Sequence, residues 1–244
     1  MRARQRHLNP KSASAVVSLD SRFITPQADG SGLSSWNDRL GGTATNNFSQ
    51  GTAGSQPAYT LNAINGNPAA RFSNDFMSTA ANFGTNNSIN GNPALTIVTV
   101  HNKTSAANGS MIGWGNTSVS LNACGIWDGQ DTINAVAFAG LSNALMTTLS
   151  VNDTVITVVK KSAGAITNTS RFRNGTSVAT GTPSSSTPNI SGSNACVIGR
   201  WANFTSNSLT GDLAYVLIFN SQLTSALQKR FESAAAYSFK IACS

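Results

Sequence analysis

Few side chains in this sequence could do chemistry. Its 244 residues hold one glutamate, Glu232, and two histidines, His7 and His101. Retaining glycosidases place two carboxylates about 5 Å apart, and inverting ones place them farther apart. The nearest acid pair here, Asp128 and Asp131 around Gly129-Gln130, reads as a turn, and no predicted strand carries two acids. A serine triad fares no better. There is no G-x-S-x-G, His7 falls in a basic N-terminal stretch, and His101 reads as a structural strand-end residue. The expectation is that the chain is not an enzyme.

Binding chemistry has more candidates. Calcium takes six to eight oxygens, often from Asp and backbone carbonyls. Asp128 and Asp131 could supply two of them, and Asp75 beside Asn74 is a further candidate. Such residues also cap turns without any ion, so no cofactor is expected, with calcium as the alternative. Cys124, Cys196 and Cys243 are far apart and lack a C-x-x-C, which suits buried apolar thiols. Sugars present C–H faces and hydroxyls, so they call for aromatic rings beside polar groups. Trp36 and Trp114 read as core residues. Trp127 and Trp201 follow strand ends and enter loops, so the expected glycan site is Trp127, Asp128, Asp131 and Trp201.

The elements that must position these residues are strands. Charged residues are 10% of the chain, against roughly 25% in an average soluble protein. Ser, Thr and Asn number 33, 25 and 27, beside 21 Gly. Good helix formers are scarce and turn and strand residues abound, so the reading is all-β. Strand-like runs fall at 15–19, 94–101, 110–114, 118–126, 155–161, 170–173, 195–200 and 211–220. Asn-Gly pairs at 65–66, 90–91, 108–109 and 174–175 supply tight turns. INGNPA occurs at 64–69 and again at 89–94, as repeated turn chemistry. One helix is expected over 223–237, where Leu223, Leu227, Phe231 and Ala235 recur every four residues behind an N-cap at Thr224 or Ser225. No apolar run is long enough to span a membrane. Arg2, Arg4, Arg6 and Lys11 give the first eleven residues four positive charges and no acid. Residues 1–12 therefore read as a basic attachment arm and 13–244 as one domain. The near-neutral body shows no pattern for nucleic-acid recognition.

The order SSWNDR (34–39), QPAY (56–59), INGNPAARF (64–72), VIGR (197–200) and LTGDLAYVLIFN (209–220), then Leu223-Thr224 and a helix, resembles the laminin-G-like, concanavalin-A-like jelly-roll domains of bacterial and phage surface proteins. The resemblance spans about residues 13–241, and its closing segment is the most specific part. It implies a sandwich of two antiparallel sheets of six or seven strands with one short C-terminal helix. The family includes glycan binders, adhesion modules, calcium-dependent domains and some hydrolases, whose strand-borne Glu-x-Asp-x-x-Glu acids are missing here. The chain starts with Met, has no signal-peptide pattern and carries unpaired cysteines. The expected role is thus a virion structural or decoration protein, or an adhesion protein, from a bacteriophage. It would face outward on the particle surface, with its arm docked on other virion proteins or on copies of itself, and could bind cell-surface glycans. The alternative is an extracellular or cell-surface carbohydrate-binding module.

Overall fold

The computed structural model describes residues 10–41, 46–105, 109–128, 134–138, 142–146, 151–180, 185–201 and 208–244. In chain order the first strands are β1 (Ala15–Asp20), β2 (Ser35–Trp36), β3 (Phe48–Ser49), β4 (Ala58–Ile64), β5 (Asn67–Ser73) and β6 (Met77–Ser78). A short helix, α1 (Phe83–Asn86), precedes β7 (Leu95–Lys103), β8 (Gly109–Gly115), β9 (Ala123–Asp128), β10 (Asn134–Phe138) and β11 (Ser142–Met146). Then come β12 (Thr154–Lys161), β13 (Thr169–Arg173), β14 (Thr176–Ser177), β15 (Ala179–Thr180), β16 (Cys196–Ile198), β17 (Thr210–Phe219) and helix α2 (Ser225–Phe239).

These strands form two antiparallel sheets. The first runs β14-β13-β12-β7-β17-β5-β4, with β1 also paired to β17; the second runs β15-β11-β10-β9-β8-β16-β6-β3-β2. The sheets have eight and nine strands among the described residues, not six or seven, because two-residue strands extend one edge of the first sheet and both edges of the second. Leu19, Phe72, Ile97 and Ile218 of the first sheet meet Met77, Ile112, Trp114 and Ile126 of the second in the main core. The other face of the first sheet is covered too. There Val98, Val100, Ile156, Val158, Leu217 and Phe219 pack with Phe231, Ala235 and Phe239 of α2. Coverage on both faces explains why β7 and β17 read as nearly continuous apolar runs and not as clean alternation.

Local chemistry sets the connections. In Asn65-Gly66 between β4 and β5, φ is 49° and 86°; in Asn174-Gly175 between β13 and β14 it is 48° and 84°. Both pairs make the left-handed turn that matches strand twist. The second INGNPA copy does not form a hairpin: Gly91 instead bridges to Ile190. The strand expected over 118–126 starts later, at Ala123, because Asn116 Oδ1 accepts the Ser118 N–H at 3.0 Å and turns the chain there. His101 lies inside β7 and not at a strand end. Helix α2 begins at Ser225 with Thr224 as N-cap, whose hydroxyl accepts the Leu227 N–H at 3.3 Å. The chain offers two polar residues, Gln228 and Glu232, to its buried face while Leu227 stays half-exposed.

Glu232 is 1% exposed, and burial raises its carboxyl above the ordinary glutamate range against the opposing help of Gln228 and Lys160. The folded state thus holds this proton more tightly than the unfolded chain does, so the stability it contributes is complete below the unfolded pKa of about 4.3 and is lost as pH rises through the folded value. The melting-temperature gap between Glu232→Gln and the parent should therefore widen in favour of the variant between about pH 4 and about pH 7. Circular-dichroism melts read the gap; a constant one would show equal affinity for the proton in both states.

Candidate functional site

The alternation of β9 sorts its side chains. Cys124 and Ile126 enter the main core, while Ala123 and Trp127 form a separate cluster with Trp201. Gly125 lies opposite Gly113 of β8 on the same outward row, so two neighbouring strands are bare there. A Cβ on Gly125 would stand 2.6 Å from Cζ3 of Trp201. The indole of Trp201 therefore occupies a slot that exists only because this position is glycine. The structure brings Trp127 and Trp201 together as one patch on the outer face of the second sheet.

Their roles differ from the sequence expectation. Trp201 is 6% exposed, so it is a buried wedge and not a free sugar platform. Trp127 stays half-buried, and its indole N–H is buried with no hydrogen-bond partner among the described residues. Asp128 is the last residue of β9, paired with Gly109 and Asn134, and does not stand in a turn; its side chain and all of Asp131 lie outside the described residues. Arg2, Arg4 and Arg6 also lie outside them, and Lys11 contributes its backbone to a 3-10 turn, Pro10–Ala13. Sequence reasoning missed Arg200, whose guanidinium stacks 3.4 Å over the ring of Phe76. The only signal for it was an arginine at a strand end.

Reactive groups elsewhere are locked away. His101 is 1% exposed, with Nδ1 3.1 Å from Thr99 Oγ1, and burial, aided by Arg173 and Lys103, pulls its pKa down to about 3. Burial pushes the Cys124 thiol up to about 12 and raises Cys196 as well. The described residues contain no group of three or more His, Cys, Asp or Glu that could hold a metal. Asp75 accepts the Ser73 N–H at 2.9 Å, which is turn capping.

Neither a protein-family model nor a curated protein matches the sequence. Solved structures do match. The Trypanosoma rangeli sialidase in complex with sialic acid aligns with TM-score 0.52 and 10% identity, over 93% of this chain and 33% of that one. The same enzyme with 2,3-difluoro-KDN aligns with TM-score 0.58 and 12% identity, again over 93% and 33%. At this identity the likeness is one of fold, and the chain spans about a third of the sialidase's length. The expectation that the chain is not an enzyme is corrected here: the two solved structures above are sialidases, so a fold of this kind occurs within enzymes and gives no ground for excluding catalysis. The physical reason is that paired carboxylates are not universal in glycoside hydrolysis: sialidases attack through tyrosine.

The two tryptophans should separate on mutation. Trp201→Ala should cost about 3–5 kcal/mol by opening the slot over Gly125, and Trp127→Ala far less. Urea melts of both variants measure this; equal losses would show that Trp127 is as firmly wedged as Trp201.

Proposed function

We propose that this chain is a laminin-G-like recognition module that binds saccharides on the outer face of its second sheet, with Trp127 as the stacking ring. The observation that carries this reading is the division of labour on β9: Trp201 is wedged over Gly125 and props Trp127, which keeps part of its surface free. An amphipathic ring backed by a rigid neighbour costs little entropy to use. The half-buried indole leaves part of the ring, not its buried N–H, to meet the C–H face of a sugar. The likeness to a sialidase sandwich supports a carbohydrate setting. Nuclear magnetic resonance titration against a panel of neutral and acidic oligosaccharides should shift the Trp127 indole signal, and Trp127→Ala should abolish binding at unchanged fold. Undiminished binding by that variant would move the site elsewhere.

The module is displayed outward on a virion surface, held by its basic arm, where arginines form bidentate bonds with acidic side chains of a neighbour. Four cations without an acid in residues 1–11 support this attachment. If residues 2–9 serve attachment and not the core, deleting them should move the melting temperature by no more than about 2 °C, since changes away from the core rarely exceed ~0.5 kcal/mol. Co-sedimentation with particles should fall sharply, and raised salt should weaken attachment of the intact chain. Equal retention of the truncated protein would favour a secreted module instead.

A further inference from the structure

The outer face of the first sheet carries a second, unrelated feature beneath α2. Between Leu213 and Tyr215 the pairing of β17 with β7 slips by one residue, a bulge. The slip leaves Ala214 and Tyr215 both against the α2 cluster, where strict alternation would have sent one of them to the main core. Tyr215 lies directly opposite Asp20 of β1. Beside this pair opens a hollow of about 480 Å³, walled by Phe231 and Phe239 of α2 and by Phe23. That is the size of a small-molecule site.

Its charges do not balance. Asp20, 1% exposed, accepts Arg22 Nε at 2.9 Å and the other guanidinium arm at 2.6 Å, a two-pronged pair that accounts for both charges. Arg39 reaches the same carboxylate with one nitrogen only, at 3.4 Å, and its guanidinium lies 3.3 Å over the ring of Phe23. Asp20, Arg22 and Arg39 are the only charged residues among the described lining, so the hollow holds one surplus positive charge, on Arg39. Phe23 is 59% exposed, a large apolar ring left at the rim. Burial and the Asp20 charge both raise Tyr215, so its phenol remains a hydrogen-bonding hydroxyl.

We infer that this hollow binds a small monoanionic carboxylate carried on a ring, with the carboxylate on Arg39 and the ring against Phe23. Arg39 has donors to spare in a plane already fixed by stacking, which suits the two oxygens of a carboxylate. Phe23, Phe231 and Phe239 give the ring apolar surface to lie against, and Tyr215 can take a hydroxyl of the ligand.

Isothermal titration of the full chain tests this with glucuronate and benzoate, their neutral counterparts glucose and benzyl alcohol, and acetate. At least one ring carboxylate should bind, and whichever binds tighter identifies the ring as saccharide or aromatic. Neutral counterparts and acetate should bind at least about tenfold more weakly, since the charge-assisted pair and the ring contact are each required. Arg39→Gln should erase the preference for the charged ligand while the melting temperature holds, because Arg39 is half-exposed. Trp127→Ala should leave this binding untouched, so failure at one face is distinct from failure at the other. Neutral and charged ligands binding alike, acetate matching the ring carboxylates, or full affinity in Arg39→Gln would each overturn the assignment.

Discussion

Strand β17 is bonded on both flanks, and its two halves have different neighbours. Along one side it pairs with β7 from Gly211 to Phe219. Along the other it pairs with β5 from Thr210 to Leu213 and then with β1 from Tyr215 to Phe219. The bulge sits where one partner gives way to the next. A long strand that changes partners must absorb a mismatch in twist and register, and one unpaired residue absorbs it locally. Inner positions Leu213, Val216 and Ile218 thereby stay in the main core, while Leu217 and Phe219 reach α2. At the start of the strand Asp212 is cross-paired with Arg71, whose two nitrogens bond its carboxylate at 2.8 and 2.9 Å and so pin the β5 register. The layer order of the molecule follows from this strand.

What the sequence disclosed was local. Asn-Gly turns declare themselves because positive φ is a property of two adjacent residues, and Thr224 caps a helix through a contact three residues away. Trp36 and Trp114 were legible as core because strand context surrounds them, and both are fully buried. What stayed hidden depended on distant residues. The burial of Trp201 rests on a missing Cβ at Gly125, far earlier in the chain. The Asp20–Arg39 contact spans 19 positions, and nothing in the SSWNDR segment that ends at Arg39 points back to Asp20. A bulge leaves no compositional mark at all, so the phase of Tyr215 could not be read from alternation. The exclusion of catalysis failed for another reason: it treated one arrangement of acids as the whole of glycoside chemistry.

The two faces of the sandwich use aromatic side chains in opposite ways. On the second sheet an indole is sunk against bare backbone, so rigidity comes from a missing side chain. On the first sheet Phe23 and Phe239 flank Arg22, at 5.9 and 5.0 Å from its guanidinium carbon, and the rings hold a charge in place. Both solutions fix a side chain without long side-chain networks, in keeping with a chain so poor in charged residues.

The position of β17 in the chain also governs how the molecule comes to be. Its partners β1, β5 and β7 all precede it, and β1 waits some two hundred residues for the strand that completes its ladder. Until β17 emerges during synthesis, the first sheet has no centre, and α2, which shields its outer face, follows later still. Pairings this remote in sequence carry a large loop-closure cost, which makes for slow folding. Pairs such as β4–β5 and β7–β12 can form earlier, but the two parts of the first sheet cannot join until β17 arrives, so success in the cell rests on keeping the open edges of β5 and β7 from other strands until the end.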